Sequence, residues 1–165
     1  ITLESEPGKG SRFSFSVYDH PQTGNDNDND GDLAGTSNYL WENKKILVAE
    51  DVECNYSLIE KILKNTGARI LWAHSGQEAV EMVKTENPDL VLMDIRMPGL
   101  SGIEATKKIR QINPSIPVIA QTAYAMAEEK TKIDETCDDY VAKPIIQKVL
   151  LDKIQYWLTR QRQYA

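Results

Sequence analysis

The chain has 165 residues, of which 41% are hydrophobic, and this is enough for one ordinary globular domain with some chain to spare. Its longest apolar runs fall far short of the roughly 20 residues that a membrane-spanning helix needs, which excludes a membrane contact by this fragment. The net charge of −6 comes from residues 18–43, whereas residues 44–165 carry 17 acidic and 17 basic side chains, so the main part of the chain lacks the basic surface expected for nucleic-acid binding.

The first segment, residues 1–17, has a glycine turn followed by alternating apolar and polar residues, a pattern that predicts half of a β-hairpin. The run Ser5-Glu6-Pro7-Gly8-Lys9-Gly10-Ser11-Arg12-Phe13-Ser14-Phe15 resembles the closing hairpin of the ATP-binding domain of histidine kinases. This resemblance implies that residues 1–17 are the C-terminal remnant of such a domain, with the nucleotide-contacting motifs upstream of Ile1.

Residues 18–43 are rich in Asn, Asp and Gly and poor in large apolar side chains, which predicts a flexible acidic linker. Within it, Asp26-Asn27-Asp28-Asn29-Asp30-Gly31 fits the first half of a calcium-binding loop. The twelfth position of that loop is Ser37 instead of glutamate, and no helical pattern flanks it. We therefore predict no calcium site there.

Residues 44–165 alternate between short apolar runs and helical patterns five times. The strands are predicted at residues 45–49, 69–73, 90–93, 117–120 and 139–142. Alternation of this kind predicts an α/β domain with a parallel sheet, whose strand ends converge at one edge. Cys54 and Cys137 form no CxxC pair, which indicates thiols in a reducing, cytoplasmic compartment.

Polar residues follow the predicted strands at positions where they should meet: Glu50 and Asp51, Asp94, Thr122 and Lys143. Three clustered carboxylates repel one another, so holding them ionised calls for a hard cation such as Mg²⁺. With a metal present, Asp94 can act as a nucleophile toward phosphorus, while Lys143 and the Thr122 hydroxyl meet the oxygens of the transferred group. The sequence thus predicts an aspartyl phosphate on Asp94.

Residues 45–159 resemble response regulator receiver domains through four motifs. These are Ile46-Leu47-Val48-Ala49-Glu50-Asp51, the run from Asp89 to Gly102, Thr122-Ala123, and Asp138-Asp139-Tyr140-Val141-Ala142-Lys143-Pro144. The resemblance implies a flavodoxin-like, doubly wound (βα)5 fold with five parallel strands in the order 2-1-3-4-5. It also implies a cis bond between Lys143 and Pro144. Thr136 departs from the family, which usually has glycine at that turn.

The same resemblance assigns roles to individual residues. The implied Mg²⁺ ligands are Glu50, Asp51, Asp94 and the backbone carbonyl of Arg96. Asp94 would take the phosphoryl group, Thr122 and Lys143 would contact it, and Tyr140 with Thr122 would form the conformational switch. Such a receiver catalyses only its own phosphorylation and dephosphorylation.

The kinase-like segment in front of the receiver implies a parent hybrid histidine kinase, itself a transferase, whether or not that parent is anchored in a membrane. The implied partners are the kinase core of the same chain and a histidine phosphotransfer protein that docks near the first helix. One alternative is a docking or regulatory module of the kinase that works without phosphorylation. A haloacid-dehalogenase-type phosphatase would need Asp-x-Asp, but Arg96 occupies the second position, and no GxGxxG supports a nicotinamide-binding fold.

Overall fold

The computed structural model describes residues 2–6, 10–14, 39–123 and 127–160. The chain divides into two compact units, residues 1–32 and 33–165. In the first unit, strand β1 (Thr2–Glu6) pairs antiparallel with strand β2 (Gly10–Ser14) and forms a complete hairpin, of which the sequence predicted one half. Most of the predicted linker, including the calcium-like run at residues 26–31, lies outside the described residues.

The second unit alternates strands and helices. Its strands are β3 (Lys45–Ala49), β4 (Arg69–Ala73), β5 (Leu90–Asp94), β6 (Val118–Thr122) and β7 (Asp139–Ala142). Its helices are α1 (Glu53–Leu63, with a 3-10 turn at Lys64–Thr66), α2 (Gly76–Glu86), α3 (Gly102–Ile112), α4 (Ala127–Thr136) and α5 (Gln147–Arg160). Among the helices described, none combines the length and the apolar character that crossing a membrane requires.

All five strands of this unit run parallel, in the spatial order β4-β3-β5-β6-β7. Counted from β3 as the first strand of the unit, that order is 2-1-3-4-5, so the flavodoxin-like fold predicted from the sequence is confirmed. Strand β3 lies inside the sheet. The chain adds β4 on one side of it and then β5, β6 and β7 on the other. The resulting crevice lies at the carboxyl ends of β3 and β5, where open α/β sheets bind their ligands.

Apolar layers cover both faces of this sheet. On one face, side chains of β3, β5 and β6 pack with α1 and α5, and on the other they pack with α2 and α3. Every residue of β5 is buried, which explains why this strand reads as a continuous apolar run in the sequence. The core therefore fixes β5, and with it the position of Asp94 at the strand's end.

Local signals in the sequence set the helix boundaries. Ser101 begins α3 with a complete capping box, because its hydroxyl accepts from the Glu104 N–H while the Glu104 carboxylate accepts from the Ser101 N–H. Gly67 follows the 3-10 turn after α1 with a φ of 74°, a left-handed conformation that favours glycine. Thr136 ends α4 by donating its hydroxyl to the Lys132 carbonyl, and its φ is not positive. The turn before β7 thus forms without the glycine usual in the family.

The packed unit begins before the boundary predicted at Lys44. Trp41 is only 4% exposed, and its indole N–H donates to the Gln155 side chain on α5 at 2.6 Å. The Trp41 backbone N–H donates to the Thr66 carbonyl at 2.6 Å, and the Tyr39 hydroxyl donates to Asp152 at 2.5 Å. Residues 39–43, which the composition assigned to the linker, therefore belong to the folded unit.

Candidate functional site

The polar residues predicted to meet at the carboxyl edge of the sheet do so. Glu50 directly follows β3, Asp94 and Thr122 end β5 and β6, and Lys143 directly follows β7. The Lys143 backbone N–H donates to the Thr122 carbonyl at 2.8 Å, which extends the sheet ladder into the loop that carries the lysine. The Lys143–Pro144 peptide bond is cis, as the sequence implied.

Three carboxylates form a cluster at this edge. Glu50, Asp51 and Asp94 each place a carboxylate oxygen within 4.8 Å of the others. Glu50 is fully buried and Asp94 is 6% exposed, whereas Asp51 faces the solvent. Like charges this close are unfavourable unless a cation compensates them, so the cluster can hold a positive ion.

Lys143 supplies part of that compensation. Its Nζ donates to Asp94 Oδ2 at 2.6 Å and to Glu50 Oε2 at 2.7 Å. Burial of the ammonium works against its charged form, but the hydrogen bonds to Asp94 and Glu50 and the negative charges of these carboxylates together outweigh this and raise the pKa of Lys143 above its ordinary value. One ammonium facing three carboxylates leaves an excess of negative charge at the edge of the sheet.

This donor set fits Mg²⁺. The cluster consists of carboxylate oxygens, which are the ligands that this hard cation prefers, and the exposed side chain of Asp51 leaves one side open to the water molecules that Mg²⁺ usually retains. The excess of carboxylates over ammonium groups matches a divalent cation in charge.

Neighbouring groups fix the Glu50 side chain. Its Oε1 accepts from the Asn55 side-chain amide at 2.8 Å and from the Val52 backbone N–H at 3.3 Å. Asn55 lies in the first turn of α1, and its side-chain amide donates from there to the acidic cluster. Because Lys143 holds Oε2, both oxygens of the Glu50 carboxylate have defined partners.

Asp94 is held from its own loop. Its Oδ1 accepts from the Arg96 backbone N–H at 3.0 Å, while the Arg96 side chain is exposed. The following helix also presses against the strand end, since a Cβ built on Gly102 would lie 2.0 Å from the Asp94 backbone oxygen. The start of α3 and the backbone of Asp94 are therefore in direct contact, which only glycine at position 102 permits.

Thr122 and Tyr140, the predicted switch pair, lie on one face of the sheet. Tyr140 is registered opposite Ala120, two residues before Thr122, so the two side chains are diagonal neighbours. Thr122 is 1% exposed, and Tyr140 is half-buried against a small cluster of Ile95, Ala120 and Ile133. Lys153 of α5 lies over the Tyr140 ring at 5.6 Å from its centroid.

Two residues beside the site were not identified from the sequence as part of it. Trp72 on β4 donates its indole N–H to the Glu50 carbonyl at 2.8 Å. Gln121 on β6 is registered beside Asp94 and is fully buried, and neither polar atom of its side chain has a hydrogen-bond partner within the part of the chain that is described. The Trp72 contact and the burial of Gln121 both depend on neighbouring strands, so no local pattern encodes them.

Comparison with known proteins agrees with this geometry. Residues 46–155 match the family described as the response regulator receiver domain. Among curated relatives, the sensor histidine kinase GacS of Pseudomonas protegens is 36% identical over 119 residues, which cover 68% of this chain and 13% of the kinase. The polar-differentiation response regulator DivK of Brucella ovis is 35% identical over 118 residues, covering 70% of this chain and 96% of that regulator. The chain therefore spans a small part of the kinase and nearly all of the single-domain regulator.

Solved structures give the same picture. A receiver domain protein of Methanospirillum hungatei has a TM-score of 0.70 at 28% identity and covers 74% of this chain and 98% of its own. The receiver domain of the sensor histidine kinase PA1611 from Pseudomonas aeruginosa, solved with a magnesium ion coordinated in its active site cleft, has a TM-score of 0.66 at 33% identity. It covers 70% of this chain and 98% of its own.

Proposed function

The chain belongs to the response regulator receiver family, and on that premise we propose that it accepts a phosphoryl group from a phosphohistidine onto Asp94 in a magnesium-dependent reaction. One observation carries the proposal: Lys143 bonds two carboxylates of a three-carboxylate cluster at the carboxyl edge of the sheet. Asp94 is the acceptor because it ends the fully buried strand β5 and has an oxygen in that cluster. The donor would be the phosphohistidine of the kinase core in the same parent chain.

The residues that would hold Mg²⁺ are Glu50, Asp51, Asp94 and the backbone carbonyl of Arg96. The ion would offset the negative charge shared by the carboxylates and the incoming phosphoryl oxygens. The magnesium site of the PA1611 receiver supports this part of the proposal.

In the transfer step, a carboxylate oxygen of Asp94 forms a bond to phosphorus while the bond between phosphorus and the imidazole nitrogen breaks. The imidazole leaves with the electron pair of that bond, and the product is an aspartyl phosphate. The Lys143 ammonium, which holds Asp94 Oδ2 in the resting site, would pair with a phosphoryl oxygen, and the Thr122 hydroxyl would donate to another.

Phosphorylation of Asp94 would also operate the conformational switch. The phosphoryl group carries a charge of about −1.5 to −2 in place of the single negative charge of the carboxylate, and it draws the Thr122 hydroxyl toward Asp94. Because Tyr140 is the diagonal neighbour of Thr122 on the same sheet face, that movement frees space for its ring to turn inward. Backbone amide chemical shifts of β7 and α5 should then change on phosphorylation, and unchanged shifts there would refute the switch.

We propose a histidine phosphotransfer protein as the next partner, docking beside α1. Val52 directly precedes this helix next to the exposed Asp51 of the cluster and is 46% exposed, and Leu58 in the middle of the helix is 48% exposed. Exposed apolar side chains at the rim of a charged site suit a transient protein partner. Replacing Leu58 by Asp should slow transfer from phosphorylated receiver to the partner without slowing the labelling of Asp94 by a small donor.

For the whole chain we propose the order kinase remnant at residues 1–17, acidic linker from residue 18, and receiver. The similarity to the receiver of GacS supports a parent hybrid histidine kinase with transferase activity. The receiver would act in the cytoplasm and catalyse only its own phosphorylation and dephosphorylation.

The decisive experiment is intact-mass spectrometry after incubation with phosphoramidate and Mg²⁺. Wild type should gain one phosphoryl group, and the gain should disappear in Asp94→Ala and in the presence of EDTA. If folded wild type gains none, even from a phosphorylated kinase core, the proposal fails and the docking module that works without phosphorylation takes its place.

A further inference from the structure

We infer that Trp72 is a positioning residue that sets the metal-binding geometry of Glu50, an inference that rests on the magnesium-dependent function proposed above. Trp72 lies on β4, the edge strand beside β3. Its indole Nε1 donates to the backbone carbonyl of Glu50 at 2.8 Å, and the Glu50 backbone N–H donates to the Ala73 carbonyl at 3.0 Å. The Ala73 backbone and the Trp72 side chain of β4 therefore bind both backbone polar groups of Glu50.

The other end of Glu50 is held from a different direction. Its carboxylate bonds Asn55 on α1 and Lys143 after β7, so the residue is fixed at its backbone by one edge of the sheet and at its oxygens by the opposite side. Glutamate has one methylene more than aspartate, and this gives the carboxylate an additional bond about which to rotate. The backbone anchor matters for that reason, since Mg²⁺ demands near-ideal ligand geometry and tolerates little displacement.

Aromatic contacts fix the indole ring in turn. Tyr56 of α1 stacks on Trp72 with the ring centroids 4.0 Å apart and the planes 2° from parallel. His74, just after β4, approaches the same indole at 3.9 Å between centroids. A ring held this way presents its N–H to the Glu50 carbonyl in a single orientation. Phenylalanine at position 72 would keep an aromatic ring there and would lose only the donor.

The test is a Mg²⁺ titration by calorimetry of wild type, Trp72→Phe and Trp157→Phe. Trp157 is a matched control, because it is also half-buried and its indole N–H donates to the Asp139 carboxylate at the amino end of β7. Loss of a hydrogen bond behind a metal ligand weakens metal binding by about 10-fold or more, so we expect the Kd for Mg²⁺ to rise about 10-fold in Trp72→Phe. The Kd of Trp157→Phe should stay at the wild-type value.

A second measurement follows the Mg²⁺ titration of wild type by NMR. The indole N–H resonance of Trp72 in ¹⁵N-labelled protein should shift during the Mg²⁺ titration and saturate with the calorimetric Kd, while that of Trp157 stays still. The resonance is assigned by its loss in Trp72→Phe or, if that variant does not fold, by elimination with Trp41→Phe and Trp157→Phe.

The outcomes separate the two ideas. If wild type binds Mg²⁺ and Trp72→Phe binds it equally well, the inference about Trp72 fails and the proposed function stands. A lower thermal midpoint with an unchanged Kd would likewise mean that Trp72 is only structural, and a Trp72 resonance that does not move in wild type would contradict the inference. If folded wild type binds no Mg²⁺, the magnesium-dependent function fails, and the positioning role fails with it.

Discussion

Lys143 and Asp94 are 49 positions apart in the chain, yet Lys143 Nζ lies 2.6 Å from Asp94 Oδ2. Replacing Lys143 by Met removes the cation while keeping most of the side-chain length. A donor that stabilises developing charge on the transferred group typically contributes about 100-fold or more to the rate. We therefore expect the phosphoramidate labelling of Asp94 to slow by about 100-fold, measured by intact mass over time.

The control for that variant is Lys84→Met, because Lys84 is exposed on α2, where its ammonium pairs with Glu81 at 3.0 Å. It should label at the wild-type rate. Equal rates for Lys143→Met and wild type would show that Lys143 has no part in the transfer.

Gln121→Leu should stabilise the domain. The Gln121 amide is fully buried without a hydrogen-bond partner in the described residues, and an unsatisfied buried polar group costs about 1–3 kcal/mol. Leucine has a similar volume and no polar group to satisfy, so the free energy of unfolding in urea should rise by about 1 kcal/mol or more. A loss of stability would mean that the amide is satisfied in solution.

Gln155→Leu is the matched comparison. The Gln155 side chain accepts the indole N–H of Trp41 at 2.6 Å, so the same substitution there removes a made hydrogen bond and leaves the indole without it. It should lower the free energy of unfolding by about 1 kcal/mol. The two variants should therefore change the free energy of unfolding in opposite directions.

Trp41→Ala should destabilise the domain strongly, even though residue 41 lies in a segment of linker-like composition. Its side chain is 4% exposed and packs in the core beside α1 and α5, and truncating a buried tryptophan to alanine typically costs about 3–5 kcal/mol. Leu40→Ala is the control, since Leu40 is 71% exposed. Equal free energies of unfolding for the two variants would contradict the packing of this segment.

Glu104 gives a pH-dependent prediction. The Ser101 hydroxyl and then the Ser101 backbone N–H donate to its carboxylate, and these hydrogen bonds lower the pKa of Glu104 below its ordinary value of 4.5. A lowered pKa in the folded state means that the ionised carboxylate stabilises the fold. This contribution is complete above pH 4.5 and is lost as the pH falls through the lowered pKa.

The corresponding measurement compares wild type with Glu104→Gln in urea between neutral and acidic pH. Wild type should be the more stable protein at neutral pH, and the difference should narrow below pH 4.5. A difference that does not change with pH would rule out stabilisation by the ionised form.

The order and type of the main elements could be read from the sequence because each strand is a short apolar run and the first three helices have a start or stop signal, at Gly67, Ser75 and Ser101. The predicted strands at residues 45–49, 69–73 and 139–142 have the observed bounds. The other two were predicted to end too early, at Met93 and Ala120, because their last residues are polar. Asp94, Gln121 and Thr122 remain in the ladder because neighbouring strands and helices bury them, and tertiary context of this kind overrides a local apolar pattern.

The candidate site was predictable for a related reason. In a parallel sheet the residues after the strands must meet, so Glu50, Asp94 and Lys143 could be grouped without coordinates. The contacts of Trp41 and Trp72 could not, since each depends on a partner from a distant element, and no local pattern shows that the Gln121 amide is buried. A tryptophan in a segment of linker-like composition gives no sign that it will reach Gln155, which is 114 positions away. Likewise, the sequence of β4 does not show that the Trp72 indole will reach the Glu50 carbonyl.

The contact between Gly102 and Asp94 has a consequence for the exchange of parts between related domains. A side chain at position 102 would overlap the Asp94 carbonyl, and the Gly102 N–H also donates to the Ile95 carbonyl at 3.1 Å. The acceptor aspartate, its loop and the first residue of α3 therefore pack directly against one another. Chimaeras that take residues 94–102 as one block should keep a working acceptor. A crossover inside that block would combine a loop and a helix start from different proteins, whose backbones do not pack against each other in the native way.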